Sequence, residues 1–161
     1  MATWAQFEAA APEMAAAGRA LLYQFGTGLA YLATLRKDGA PRIHPICPAI
    51  AEGGLFGLII PSPKQHDLLR DGRYAVHSFP MPDRDDEFYL AGTAHRVDDP
   101  DLLAAVLAAY LASGATSSGH ETFFEFGIER ALLATDPKRG DGPGWPPTYT
   151  KWRDPGSRGR I

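Results

Sequence analysis

The sequence has little cysteine, no long apolar run and no large excess of one charge, and each absence excludes a class of protein. Cys47 is the single cysteine among 161 residues, so no internal disulfide can form. No apolar run approaches the roughly 20 residues that a membrane-spanning helix needs. The first residues, MATWAQFEAAAPEM, lack the basic segment and apolar core of a secretory signal. We therefore expect a cytoplasmic protein with no membrane partner.

The charge balance argues against nucleic acid as a partner. The net charge is −3 at pH 7, which gives no overall attraction for a polyanion. The distribution is uneven, because residues 136–161 hold six lysines or arginines against three aspartates. The tail is therefore a local basic feature of an otherwise acidic chain.

Motifs of side-chain catalysis and metal binding are also missing. No G-x-S-x-G, P-loop or G-x-G-x-x-G sequence occurs. Cys47 lies in an apolar segment without an activating partner, which favours a small buried hydrophobe over a nucleophile. No metal is expected, because the histidines lack the paired spacings of zinc sites; they are His44, His66, His77, His95 and His120. A chain without a catalytic constellation is typical of proteins in which a bound cofactor supplies the chemistry.

The pattern that is present fits one domain, residues 1–161. Residues 3–25 predict a helical N-terminus interrupted at Pro12, and residues 29–135 predict six strands with a helix after the third and after the fifth. Residues 136–161 form a Gly- and Pro-rich tail with one short strand around Tyr149 to Trp152. Short turns and the lack of βαβ alternation predict a mainly β (α+β) fold, a closed or partly closed antiparallel barrel with flanking helices.

Turn and breaker residues set the strand boundaries. Asp38-Gly39 predicts a hairpin, and the first three strands are expected to form an antiparallel meander. Pro45 and Pro48 cannot donate ladder hydrogen bonds, so their strand must be bulged, bent or at an edge. Gly92 inside the fifth strand indicates a bulge or a close backbone approach.

The stretch from Gly54 to Gly72, GLFGLIIPSPKQHDLLRDG, combines a buried strand with a helix start. Ser62 and Gln65 have the spacing of a capping box around Pro63, and Gly72 is expected to end the helix in a left-handed conformation. Helix N-termini attract anions, and Lys64 in the first turn opposes the helix dipole unless an anion is present. A phosphate is the candidate ligand; the alternative is that Ser62 only caps and Lys64 is a solvated surface residue.

Several motifs follow one another over about residues 28–112: LAYLATLRKDGAPRIHPI, a third strand, SPK, a short helix, DGRYAVH and EFYLAGTAHRVDDP. In this order and spacing they resemble the pyridoxamine 5′-phosphate oxidase-like family of flavoproteins. The resemblance implies a six-stranded antiparallel split β-barrel of Greek-key type. It also implies a homodimer that holds FMN at the subunit interface.

The resemblance also implies a set of cofactor-binding residues. The strand after G-x-P lines the flavin, the end of the third strand adds two apolar residues, the S-x-K turn holds the phosphate, and the fifth strand begins with a polar contact. With Trp152, which together with Lys151 and Arg153 could close over the cofactor, the predicted residues are His44, Pro45, Ile46, Leu58, Ile59, Ser62, Pro63, Lys64, Glu87 and Trp152.

This chain departs from the oxidases at three of those positions. They carry arginine where His44 and Pro63 stand, and glutamine where Glu87 stands. Pyridoxamine phosphate oxidase activity itself is therefore not expected. Arg36 and Arg42 are candidates to replace the missing phosphate contacts; the alternative is that both are outward-facing strand residues.

The function that the resemblance implies is an FMN-dependent oxidoreductase that transfers hydride to a small-molecule substrate. No catalytic acid or base is assigned. One alternative is a reductase that uses a deazaflavin coenzyme. The other is a non-catalytic barrel that binds flavin, or heme through His44 or His77, or no cofactor.

Overall fold

A computed structural model describes residues 1–136 and 147–157 of the chain, so most of the predicted tail lies outside the described residues. The helices are α1 (Trp4–Ala10), α2 (Pro12–Leu22), α3 (Pro63–Arg70) and α4 (Pro100–Ala112), and Pro155–Ser157 form a 3-10 turn. The strands are β1 (Ala30–Leu35), β2 (Pro41–Ile46), β3 (Pro48–Ala51), β4 (Gly54–Ile59), β5 (Arg73–Ser78), β6 (Glu87–Arg96), β7 (Thr122–Thr135) and β8 (Thr148–Arg153).

The strands form one antiparallel sheet that curls into a split barrel. Their order is β2-β1-β5-β6-β7-β4-β3, and β8 pairs with β7. Because only Cys47 separates β2 from β3, the two ends of this order must lie close together. The expected mainly β, antiparallel barrel with flanking helices is confirmed, although the described residues contain eight strands where six core strands and a short tail strand were expected.

The difference from the predicted meander arises at the two prolines. The segment that contains Pro45 and Pro48 was expected to be one strand between its sequence neighbours, and this is wrong. It divides at Cys47, so that β2 pairs only with β1 and β3 only with β4. Each proline lies on a strand at an end of the sheet order, where a missing ladder donor is tolerated.

The N-terminal helices close one side of the barrel. Thr3 and Gln6 form the capping box of α1, with the Gln6 amide donating to the Thr3 hydroxyl at 3.3 Å and the Thr3 amide donating to the Gln6 side-chain oxygen at 2.9 Å. Trp4 and Phe7 on that helix are at most 1% exposed and pack against Phe88 of β6. Burial of each such aromatic ring stabilises the fold by about 2 kcal/mol.

Two glycines allow close approach of backbones around β6. A Cβ atom at Gly92 would overlap the Gly127 carbonyl oxygen, and the register of β6 against β7 shifts at Ala91/Gly92, so the predicted bulge is confirmed. Gly72 was expected to be the left-handed C-cap of α3, and this is wrong. It faces β6 instead, where its carbonyl accepts a hydrogen bond from the Ala94 amide at 2.7 Å.

No helix in the described ranges is both long and apolar enough to cross a bilayer.

Candidate functional site

The connection from β4 to α3 leaves the start of the helix without a side-chain cap. The Ser62 hydroxyl donates to the Ile60 carbonyl at 2.8 Å, so it does not accept from the helix amides. The Gln65 side chain donates to the Ile59 carbonyl and to the Thr122 hydroxyl, each at 3.0 Å. The expected Ser62–Gln65 capping box is therefore wrong, because the buried Gln65 amide ties α3 to β4 and β7 instead.

Lys64 lies in the first turn of α3, and its side chain is partly buried. Among residues 1–136 and 147–157 its ammonium group has no acidic partner and makes no hydrogen bond. This burial lowers the pKa of Lys64, and the nearby Cys47 partly offsets the effect. A desolvated cation at the N-terminal end of a helix favours a bound anion.

His44 on β2 presents a second unsatisfied polar atom to the same region. Its Nε2 atom is buried and has no hydrogen-bond partner among the described residues. Burial, then the charges of Lys64 and Arg42, hold the pKa of His44 below its ordinary value. The imidazole is therefore neutral near pH 7, and a buried ring nitrogen without a partner fits a site that a ligand completes.

Asp67 on α3 neutralises the arginines beside the site. Its Oδ2 atom accepts from the Arg42 guanidinium at 2.8 Å and from the Thr34 hydroxyl at 3.0 Å, and its Oδ1 atom accepts from Arg70 at 3.2 Å. Burial raises the pKa of Asp67, but these hydrogen bonds outweigh it and keep the carboxylate ionised. Arg42 is thus held by Asp67 on the inner side of β2 and is not an outward-facing residue, whereas Arg36 is exposed and contributes only a more distant charge.

Cys47 lies near Lys64, Tyr110 lies near Cys47, and both were missed as site residues. Burial is the main cause that raises the pKa of Tyr110 to about 12, and the neighbouring Cys47 adds to the shift. Tyr110 belongs to α4, which packs on β3 next to Cys47. The sequence offered no local signal for this contact, because α4 begins more than fifty residues after Cys47.

The apolar residues predicted to line the cofactor are divided between two faces. Ile46 is buried in the main core, whereas Pro45 next to it is exposed on the opposite face of β2. Ile59 also enters the main core, but Leu58 packs in a second cluster with Val106 and other residues beneath α4. Of the predicted residues, His44 and the Ser62–Lys64 turn converge most clearly.

Glu87 and Trp152 are not brought to this site within one chain. Glu87 begins β6, and its carboxylate lies 3.9 Å from His77 of β5. Trp152 on β8 packs against Phe7 of α1, with ring centroids 5.0 Å apart. Two strands, β1 and β5, separate β2 with His44 from β6 with Glu87, so these two residues lie apart within one chain.

In the part of the chain that the structure describes, no group of three or more His, Cys, Asp or Glu residues is arranged to hold a metal ion.

Comparison with solved structures shows the fold. A heme-binding protein from Mycobacterium smegmatis aligns with a TM-score of 0.62 and 20% identity over 86% of this chain, which spans 57% of that protein's length. HutZ, the heme storage protein from Vibrio cholerae, aligns with a TM-score of 0.57 and 16% identity over 74% of this chain and 89% of its own. A NimC/NimA family protein from Clostridium acetobutylicum gives 0.56 and 17%, with 83% of this chain and 91% of its own covered.

Neither known protein families nor curated proteins give a match. The class that the fold and the solved structures define is therefore the split β-barrel shared by these heme-binding and NimA-like proteins.

Proposed function

We propose that this protein binds FMN with its phosphate at the N-terminus of α3 and acts as an oxidoreductase. The observation that carries this proposal is that Lys64 and the buried Nε2 atom of His44 lie near each other, each without a partner among the described residues. Both groups lie beside a helix start that no side chain caps. Together they offer a cation and a neutral ring nitrogen to one anion at the positive end of the helix dipole.

The residues of the chain would bind and orient the cofactor. Lys64 would pair with the phosphate, Ser62 would exchange its contact with Ile60 for one to a phosphate oxygen, and His44 would donate or accept a hydrogen bond through Nε2. Asp67 of α3 holds the guanidinium group of Arg42 at 2.8 Å, and this ion pair ties β2 to α3. When bound, FMN would supply hydride transfer through its ring, and the substrate would be a small molecule.

The matched ligand pair FMN and riboflavin tests the phosphate assignment, because only FMN carries a phosphate. We expect the purified protein to bind FMN saturably in an absorbance and fluorescence titration, and riboflavin more weakly. The double variant Ser62→Ala/Lys64→Ala should lose about tenfold or more in FMN affinity, since charge-assisted hydrogen bonds are lost. Lys37→Ala, an exposed lysine in the β1–β2 turn, is the control.

Equal affinity for FMN and riboflavin, or an unchanged double variant, would overturn the assignment. A parallel titration with a deazaflavin coenzyme separates the two flavin classes. Preference for that coenzyme would move the proposal to a deazaflavin-dependent reductase.

A non-catalytic heme-binding barrel is the second candidate, and the same His44 atom supports it. A buried imidazole nitrogen without a hydrogen bond is a possible iron ligand, and two of the structural neighbours carry names that refer to heme. Heme binding would give a Soret band that His44→Ala abolishes and that His66→Ala, an exposed control, leaves unchanged. A saturable Soret band together with no flavin binding would favour this candidate over FMN.

The FMN proposal includes a homodimer. Glu87 and Trp152 lie away from Lys64 within one chain, so they reach a common cofactor only from a second copy. The exposed apolar residues Tyr31 and Ile43 on β1 and β2 offer a face for that contact.

A further inference from the structure

The turn that joins β4 to α3 is closed by the side chain of Gln65. Its Nε2 atom donates to the Ile59 carbonyl at 3.0 Å, which links the last residue of β4 to the first turn of the helix. Ser62 and Lys64, the residues proposed for the phosphate, lie inside this closed turn of residues 59–65. Because Gln65 is only 8% exposed, it is placed to set the shape of the turn from the interior of the protein.

The backbone of this turn has few other free torsions. Pro61 and Pro63 each fix their own φ angle, and a residue before proline is restricted to extended conformations. Ser62, which precedes Pro63, has φ −169° and ψ 164°, as this restriction requires. The amides of Gln65 and His66 both donate to the Ser62 carbonyl, at 3.0 and 3.2 Å. The prolines thus set the local backbone angles, whereas the Gln65 side chain holds the two ends of the turn together.

The second contact of Gln65 anchors the turn to β7. Its Nε2 atom also donates to the Thr122 hydroxyl at 3.0 Å, and Thr122 stands directly opposite Ile59 in the sheet. The loop before Thr122 is closed by Glu121, whose carboxylate accepts hydrogen bonds from residues 117–119. Burial raises the pKa of Glu121, but these hydrogen bonds outweigh it and lower the pKa to about 2, so the carboxylate is ionised at neutral pH. Gln65 therefore rests on an acceptor whose own position is fixed.

A turn that is closed before binding favours an anion held by a long side chain. Lys64 loses rotamer freedom when it pairs with a phosphate, and any freedom of the backbone beneath it adds to that entropic cost. Closure of the turn by Gln65 removes the backbone part of the cost in advance.

We propose that Gln65 is a positioning residue of the phosphate site and that Thr122 acts with it. Gln65 holds the turn so that Ser62 and Lys64 face one anion, and it does not itself contact the anion. This inference rests on the proposed function, because it assumes that the phosphate of FMN binds at this turn. It places one determinant of phosphate affinity in the interior, under the control of a residue on β7 that lies 57 residues further along the chain.

The ratio of FMN affinity to riboflavin affinity tests the inference, because only the ligand with a phosphate needs the turn. Gln65→Met keeps a long unbranched side chain but removes both donated hydrogen bonds. We expect it to lower FMN affinity about fivefold or more and to leave riboflavin affinity unchanged. Thr122→Val removes only the hydroxyl and should give a smaller loss, whereas Thr122→Ser keeps the hydroxyl and should bind FMN like the wild type.

Gln24→Met is the matched control. The Gln24 amide also donates to two acceptors, the carbonyls of Leu21 at 3.2 Å and Phe79 at 2.8 Å, but it joins the end of α2 to the end of β5. This variant should keep the wild-type affinity ratio, and thermal unfolding should show that all the variants fold.

A double-mutant cycle separates positioning from a general loss of stability. If Gln65 acts through Lys64, Gln65→Met should lower FMN affinity in the wild-type background and hardly at all in the Lys64→Ala background. Hydrogen exchange gives a second readout that needs no ligand. The His66 amide, which donates to the Ser62 carbonyl, should exchange faster in Gln65→Met than in the Gln24→Met control.

The outcomes distinguish this inference from the proposed function. A wild type that prefers FMN to riboflavin, together with a Gln65→Met variant that keeps the full preference, would overturn the inference alone. Equal losses from Gln65→Met in the wild-type and Lys64→Ala backgrounds, or unchanged exchange of the His66 amide, would do the same. A wild type with no preference for FMN would overturn the proposed function and this inference with it.

Discussion

At the scale of single residues, Asp67 is the group on which the candidate site's local charge balance depends most. It is 3% exposed and holds Arg42, Thr34 and Arg70 at once. The guanidinium groups are partly solvated, with side-chain exposures of 23% for Arg42 and 38% for Arg70. Loss of the carboxylate therefore leaves cations that water can partly reach.

We expect Asp67→Asn to lower the free energy of unfolding at pH 7 by about 2 kcal/mol, the magnitude of hydrogen bonds to a charged group. The folded state lowers the pKa of Asp67, so this contribution is fully present above the unfolded value near 4 and is lost as pH falls through the folded value. Urea unfolding of both proteins from pH 7 down to pH 3 should show the difference shrink below about pH 4. Asp98→Asn, in a pair that is mostly exposed, is the control and should cost little.

His44 provides a direct report on anion binding. Burial foremost, and then Lys64 and Arg42, lower its pKa, so an anion placed among these groups would counter the two charges and raise the pKa of His44. NMR titration of the histidine ring signals with and without saturating FMN measures the shift. The exposed His95 of β6 is the internal control, and a His44 signal that titrates identically in both samples would contradict an anion at this position.

At the scale of elements, two helix N-termini differ in whether the residue before the helix caps it. Asp99 accepts hydrogen bonds from the amides of Asp101 and Leu102, so it caps α4, whereas Ser62 makes no cap. We expect Asp99→Ala to lower the free energy of unfolding by about 1 kcal/mol, and Ser62→Ala to cost much less. Urea denaturation of the two variants tests this, and equal losses would mean that Ser62 caps α3 in solution.

The same contrast explains what the sequence could predict. The Asp38-Gly39 hairpin and the Gly92 bulge depend on neighbours in the chain or on backbone sterics, and both were predicted from the sequence. The predicted Ser62–Gln65 capping box was wrong because the Gln65 side chain instead donates to the Thr122 hydroxyl, which lies 57 residues away in the chain.

Contacts between residues that are far apart in the chain also limited how much of the candidate site could be predicted. His44 and the S-x-K turn were found through a resemblance, but the partnership of Asp67 with Arg42 and Thr34 joins separate elements and leaves no local pattern. One clue was available, because Asp67 follows Lys64 by three residues and therefore shares its side of α3. The break at Cys47 had a partial clue, since Pro45 and Pro48 predicted a bulge, a bend or an edge there, but the prolines did not indicate that the two parts pair with different strands.

At the scale of the whole molecule, one face of the sheet is unusually apolar. Tyr31 stands opposite Pro45, and Ala33 stands opposite Ile43, so these side chains lie on the same outer side of β1 and β2. Ile43 is 65% exposed, and Tyr31 stacks on Phe79 with ring centroids 4.2 Å apart. A contiguous apolar surface of this kind is typical of a protein interface.

We expect the protein to be a homodimer, and Ile43→Glu to convert it to a monomer, because a carboxylate buried in the contact has no partner. Sedimentation equilibrium measures the change. Leu111→Glu is the matched control, because Leu111 is an exposed aliphatic residue like Ile43 but lies on α4. This variant should leave the dimer intact. If Ile43→Glu also lowers FMN affinity, the cofactor is shared between subunits as Glu87 requires. A wild type that sediments as a monomer would leave Glu87 and His44 in separate places, and FMN would then have to bind through β2 and α3 of one chain alone.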